Sequence, residues 1–217
     1  MMKDIENTDS VSYKRSLLIG MLLGCANSKI SVTTKPLKAE FTVKHSVSQL
    51  DLVHWKATEI ERLFAVKVRY TEQQKCLSFS AGRRVRIVHQ WFHCGERKTI
   101  TPKIRFMDHP IGLTMLLCDA GSIRRQKKQH KTGSLYYAKP SLTIAVRPFM
   151  EVEIALLLTH IKTLFGAEGY IKSTYRARTI RFNPENSQII WQGVKRWIPE
   201  ISSMHSKFQE AILAFGK

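Results

Sequence analysis

The sequence lacks any apolar run that could cross a bilayer, which takes about twenty residues. Leu17–Leu23 falls well short of that length. A helical membrane span is thereby excluded. Cysteine is also scarce: the four present (Cys25, Cys76, Cys94, Cys118) form no CxxC pair. That pattern argues against a cysteine zinc site or a disulfide framework, and suits reduced thiols in an intracellular protein. The histidines His45, His89, His93 and His109 follow no metal-ligand spacing, so no metal centre and no cofactor is read from them. A secretory or transit leader is not apparent either, because Met1–Ser16 carries Asp4, Glu6 and Asp9. The expectation is a protein working where it is made, in a bacterial or phage-infected cytoplasm or as the product of a mitochondrial or plastid genome.

Acidic residues are the scarcest charge, 17 against 35 lysines and arginines, which leaves a net charge of +18 over 217 residues. With 43% hydrophobic residues the chain can still bury a sizeable core. Such an imbalance calls for a polyanionic partner. Nucleic acid ranks ahead of an anionic membrane, since the cations fall on expected strands and not on an amphipathic helix.

What is present twice organises the rest. Ser16–Ile30 (SLLIGMLLGCANSKI) and Ile111–Ile123 (IGLTMLLCDAGSI) are both apolar on all sides and both end at small residues. A helix of that kind is buried between two halves and does not lie on a surface. Gly20 and Gly24 in one copy, with Gly112 and Ala120 in the other, allow close approach of two backbones. Met1–Ser12 reads as a frayed polar arm (1–12), followed by a first repeat with its connector (13–109) and a second repeat (110–217).

The second copy, Leu113–Ser122, resembles the motif helix of the two-repeat, single-chain LAGLIDADG homing endonucleases, and Ile19–Ala26 is similar to their first motif. Lys44–Lys56, Pro148–Ile154, Arg178–Phe182 and Trp197–Phe208 continue the likeness in order, so that it covers Leu17 to Phe208. The resemblance implies an α+β fold. Two pseudo-symmetric αββαββα repeats would pack their motif helices at the centre and carry two antiparallel sheets that form a saddle over the DNA major groove. It also implies a monomer with internal pseudo-twofold symmetry.

One departure bears on activity. The last acidic residue of each motif holds the divalent metal in that family, and the matching positions here are Cys25 and Ala120. Neither offers the hard oxygen that Mg²⁺ requires. Asp119 stands one residue earlier, which on a helix is about 100° of rotation, so it is expected to point elsewhere. No cofactor is therefore expected, with Mg²⁺ reserved for an alternative in which Asp119 supports nicking or slow cleavage. A second alternative is an RNA partner, as a splicing maturase or a ribonucleoprotein component, which needs no catalytic acid.

Periodicity places the remaining elements. Strands are expected at Lys38–His45, Ala65–Tyr70, Cys76–Phe79, Arg83–Gln90, Ser122–Gln126, Ser141–Arg147, Tyr170–Ser173 and Arg178–Phe182. Helices are expected at Val47–Phe64 with Ser48 as N-cap, Phe149–Phe165, Ser187–Trp197 and Ser203–Phe215, with a polar turn at Lys127–Gly133. The candidate nucleic-acid contacts are Lys44, Arg83, Arg84, Arg86, Arg124, Arg125, Lys127, Lys128, Arg147, Lys172, Arg176, Arg178, Arg181 and Lys207. Lys207 matches a lysine that the family keeps near its centre, while Cys25 and Cys118 read as packing residues and not as activated thiols.

Overall fold

In the computed structural model the described residues are 8, 10–31, 38–71, 75–125, 127–129, 133–175 and 177–216. The expected arm over 1–12 lies mostly outside them, as does Arg176. The first half runs α1 (Val11–Leu23), β1 (Asn27–Ser31), β2 (Lys38–Lys44), α2 (Leu50–Phe64), β3 (Arg69–Thr71), β4 (Cys76–Phe79) and α3 (Arg83–Phe92). A short hairpin, β5 (His93–Cys94) and β6 (Arg97–Lys98), leads into the second half. That half runs α4 (Pro110–Ala120), β7 (Gly121–Arg124), β8 (Lys127–Gln129), β9 (Leu135–Tyr137), β10 (Ser141–Ala145) and α5 (Glu151–Phe165). It continues with β11 (Gly169–Ser173), β12 (Arg178–Phe182), α6 (Pro184–Val194) and α7 (Ser202–Phe215). The order αββαββα occurs twice, with β8–β9 inserted in the second copy and α7 appended.

The centre is made by α1 against α4, both buried along nearly their whole length. A side-chain β-carbon on Gly20 would lie only 2.0 Å from the Gly112 carbonyl oxygen, and one on Gly112 only 2.9 Å from that of Ser16. Backbone touches backbone there, and nothing larger than hydrogen fits. Ser16 adds a polar tie, its hydroxyl accepting from the His109 N–H at 3.0 Å.

Each half carries a four-stranded antiparallel sheet, ordered β1-β2-β4-β3 and β7-β10-β12-β11. Alternation decides the faces. Ala39, Phe41, Val43, Leu77 and Phe79 turn into the core in one sheet, and Ile123, Leu142, Ile144, Ile180 and Phe182 in the other. The opposite faces are polar and form the saddle.

Several expected elements differ in the structure. Arg83–Gln90 is not a strand: Val85, Val88 and Phe92 bury at helical spacing, while Ile87 is only half-buried. The pattern Val-Arg-Ile-Val mimics strand alternation, but packing on the sheet selects the helical period. Lys127–Gly133 is no mere turn, since Lys127, Lys128 and Gln129 pair with Tyr137, Tyr136 and Leu135. Ser48 does not cap a helix. A 3-10 turn at Val47–Gln49 precedes α2, and the Ser48 hydroxyl bonds that of Ser46 at 2.9 Å. The strand expected from Ala65 begins at Arg69, because Ala65 closes α2 in the left-handed region (φ 51°).

Candidate functional site

Two regions meet the expectations about binding and chemistry: the polar sheet faces, and the point where the motif helices end.

On the sheets, the strand register lines up equivalent rows. Asn27, Thr42, Ser78 and Arg69 lie side by side across one sheet. Ser122, Thr143, Arg181 and Tyr170 do so across the other. Flanking rows add Lys44, Cys76 and Thr71 in the first sheet, and Lys172, Thr179 and Ala145 in the second. Arg124 stands opposite Ser141 at the β7 edge, and Arg147 is exposed just beyond β10. The structure thus gathers Lys44, Arg124, Lys172 and Arg181 on the polar faces, and adds Arg69, which the sequence reading missed. Lys127 is exposed on the β8–β9 hairpin, with Lys128 beside it in the strand.

Other expected contacts are employed differently. Arg83, Arg84 and Arg86 sit on α3, which packs on the first sheet from its core side, so they do not join the polar face. Arg84 instead lies over the Phe64 ring, 5.8 Å from its centroid. Arg125 pairs with Glu210 at 2.9 Å. Arg178 shares the parity of the core-facing Ile180 and donates to the Phe149 carbonyl at 2.7 Å. Arg84, Arg125 and Arg178 each have a structural partner already.

At the helix ends, Asp119 does not point away. Gly24 faces it: a β-carbon there would lie 2.4 Å from Asp119 Oδ2, so the missing side chain opens the space the carboxylate fills. Asp119 accepts from the Cys25 N–H at 3.1 Å. Its other oxygen, Oδ1, lies 2.5 Å from Lys56 Nζ and 3.3 Å from His45 Nε2. Lys56 comes from α2 and is 0% exposed, as buried as the Leu52 and Ile60 around it. Its ammonium also reaches His45 Nε2 at 2.9 Å and Cys25 Sγ at 3.7 Å. Nδ1 of His45 meets Gln49 Oε1 at 3.2 Å, which suits the tautomer that carries its proton on Nδ1 and accepts on Nε2.

The electrostatics follow from burial and pairing. Burial alone would push the Asp119 carboxyl up, but the Lys56 ammonium overcomes it and holds the acid well below the usual carboxylate range. Burial opposes the Lys56 ammonium too, yet Asp119 raises its pKa above the ordinary lysine value. Burial, reinforced by the Asp119 charge, pushes the Cys25 thiol up to about 12. At neutral pH it is a thiol and not a nucleophile.

Two further lysines converge here. Lys98 donates to the Leu22 and Gly24 carbonyls at 3.0 and 3.3 Å, and Lys207 to the Cys118 carbonyl at 2.5 Å. Each therefore caps the C-terminal end of one motif helix, where the helix dipole favours a cation. Burial lowers both ammonium pKa values. Lys207 was expected near the centre; Lys98 has no local sequence signal and is found only because the β5–β6 hairpin folds back. That hairpin is fastened to the second half by Arg97, which pairs with Glu153 at 3.0 and 2.8 Å.

Set against a divalent magnesium ion, this donor set does not fit. The matching positions hold Cys25 and Ala120, and both Asp119 oxygens already accept from cations or amides. Hard octahedral coordination needs free oxygen ligands. The charges near the helix ends, three lysines and one carboxylate, suit an anion better than a second cation.

The chain belongs to the LAGLIDADG DNA endonuclease family, whose sequence profile matches residues 15–190. No curated protein matches by sequence. Among solved structures it is similar to the homing endonuclease I-WcaI bound to its DNA recognition sequence, at 19% identity and a TM-score of 0.61, covering 95% of this chain and 91% of that one. It is also similar to I-SmaMI bound to uncleaved DNA target in the presence of calcium ions, at 11% identity and TM-score 0.57, covering 92% and 90%. Mesophilic variants of the homing endonuclease I-DmoI align at 12% identity and TM-score 0.58, over 85% and 96%. At such identities the likeness concerns the fold. Among the described residues, no helix is long and apolar enough to cross a membrane.

Proposed function

We propose that this chain binds duplex DNA in the major groove through its two polar sheet faces and holds the DNA without metal-dependent cleavage. The observation that carries the reading is the Lys56–Asp119 pair, which ties up the only motif-end carboxylate inside a fully buried ion pair. Two-metal phosphodiester cleavage stabilises both the attacking and the leaving oxygen through ions held by carboxylates on both sides. Here one side offers Cys25 and the other Ala120. Lys98 and Lys207, on opposite sides of the same centre, supply charge for backbone phosphates instead. Fixed cations stabilise bound phosphate in ground state and transition state alike, and uniform binding gives affinity without rate.

Family membership and DNA-bound relatives support the partner. The strand rows support the mode, since B-DNA's major groove is wide enough for a two-stranded ribbon. A second reading, structured RNA, draws on Tyr136, Tyr137, Tyr170 and Tyr175, which stand exposed on the cationic second half. Aromatic rings beside cations are the platform on which unpaired bases stack.

The test is to crosslink the native complex, sequence the bound nucleic acid separately as DNA and RNA, and challenge the recovered DNA with Mg²⁺ and Mn²⁺. DNA recovery without cutting is expected. Recovery of RNA alone moves the reading to the ribonucleoprotein alternative. Metal-dependent cutting that disappears in Asp119→Asn restores an active nuclease and overturns the proposal.

A further inference from the structure

The three side chains around the Lys56 ammonium have a chemistry of their own. Cys25 offers a thiol, His45 an imidazole and Asp119 a carboxylate, and one ligand atom from each lies within 4.8 Å of the others. Cys25 Sγ and His45 Nε2 are 3.0 Å apart, and His45 Nε2 and Asp119 Oδ1 are 3.3 Å apart. A tetrahedral ion with bonds of about 2.0 to 2.3 Å sets its ligands roughly 3.3 to 3.8 Å from one another. The side chains of His45 and Asp119 are 4% and 1% exposed, so the space is walled off from solvent. In that space sits a cation: the Lys56 ammonium touches all three groups.

We propose that Cys25, His45 and Asp119 form a binding site for a borderline divalent cation of the zinc class, and that the chain fills this site with its own ammonium. Metal and Lys56 are then mutually exclusive occupants. The donor set fixes the class of ion, since sulfur and nitrogen ligands select zinc-like metals over magnesium or calcium. The proton balance is simple: the metal takes the Cys25 thiolate, the thiol proton goes to solvent, and the imidazole binds through Nε2 with Nδ1–H still donating to Gln49. The carboxylate needs no change.

This arrangement explains why a lysine can be wholly buried in a family site. The ammonium supplies one positive charge to a pocket that otherwise holds a lone carboxylate, and it links α2 to the ends of α1 and α4. The inference does not depend on the DNA-binding reading, because the metal is measured on free protein.

Cobalt(II) is the probe, as its thiolate complexes absorb by charge transfer in the near ultraviolet. Full-length Lys56→Ala and Lys56→Gln proteins are titrated beside wild type, with fold checked by circular dichroism. Both variants are expected to bind one cobalt ion with that band, roughly a hundredfold or more tighter than wild type, because metal entry into wild type must break a buried ion pair. Cys25→Ser in the Lys56→Ala background abolishes the band. Magnesium gives no competition. A folded variant without the band overturns the proposal, as does wild type binding cobalt as tightly as the variants. If both variants are unfolded in the absence of metal, Zn²⁺ added during refolding is expected to restore the native dichroism, and failure to restore it is equally decisive against the site.

Discussion

Lys56 Nζ and Asp119 Oδ1 lie 2.5 Å apart and are shielded from bulk water, one side chain 0% and the other 1% exposed. The pair joins α2 of the first half to the motif helix of the second. Breaking one member leaves an uncompensated buried charge.

Lys56→Met is accordingly expected to destabilise the protein by about 3–5 kcal/mol, while Lys56→Met combined with Asp119→Leu recovers much of that loss. Chemical denaturation of the two single variants and the double variant measures the coupling. Equal, additive losses would show that the pair is not coupled.

The pair also sets a pH window. Asp119 is held below the ordinary carboxylate range, so its stabilisation is complete above about pH 4 and is lost only as pH falls further. The Lys56 pKa is raised, so its share is present below about pH 10.4 and is lost as pH climbs through the higher folded value. Thermal melts across pH should show Asp119→Asn removing most of the stability that this site loses as pH falls below about 4.

Thiol reactivity offers an independent check on the centre. Burial pushes Cys25 and Cys118 each up to about 12, whereas Cys94 is exposed. A maleimide or disulfide reagent at neutral pH is expected to label Cys94 first and leave Cys25 and Cys118 untouched until the protein unfolds. Early labelling of Cys25 in the native protein would mean the cluster is open.

On the sheets, Arg124→Ala and Arg181→Ala should weaken DNA binding, and each lost phosphate contact should flatten the slope of log affinity against log salt by about 0.9. Arg84→Ala on α3 and Arg125→Ala, whose partner is Glu210, should leave that slope unchanged. The contrast separates cations that touch DNA from those that hold the fold.

Gly20 and Gly112 give the last test. Gly20→Ala forces a methyl against the Gly112 carbonyl, where 2.0 Å is available, and the two helices must part. A loss of at least about 1–3 kcal/mol is expected, a fall in Tm of roughly 2–4 °C for each kcal/mol.

The sequence carried the architecture because repetition survives in it: two all-apolar helices with small-residue ends, each followed by alternating strands, announce two packed halves. Arg83–Gln90 reads as a strand for a local reason. Valine and isoleucine between arginines fit a period of two as well as one of 3.6, and only the sheet beneath α3 decides. The centre was hidden for a different reason. Asp119 meets Lys56 across 63 residues and Cys25 across 94, separations at which spacing rules say nothing. His45 follows no ligand spacing, and helical rotation alone does not reveal the space beside Asp119 that Gly24, with no side chain, leaves open.

That glycine has a consequence for how the two halves are related. In the motif alignment that pairs Cys25 with Ala120, Gly24 pairs with Asp119, so the positions that meet at the pseudo-twofold are an empty one and a charged one. The neutralising Lys56 belongs to the half with the glycine. Two copies of the second half would press carboxylate against carboxylate without Lys56 to receive them. Two copies of the first would leave a pair of buried ammonium groups around a void. The halves are complementary and not interchangeable at this point: the glycine of the first makes room for the carboxylate of the second, and the lysine that neutralises it comes from the first.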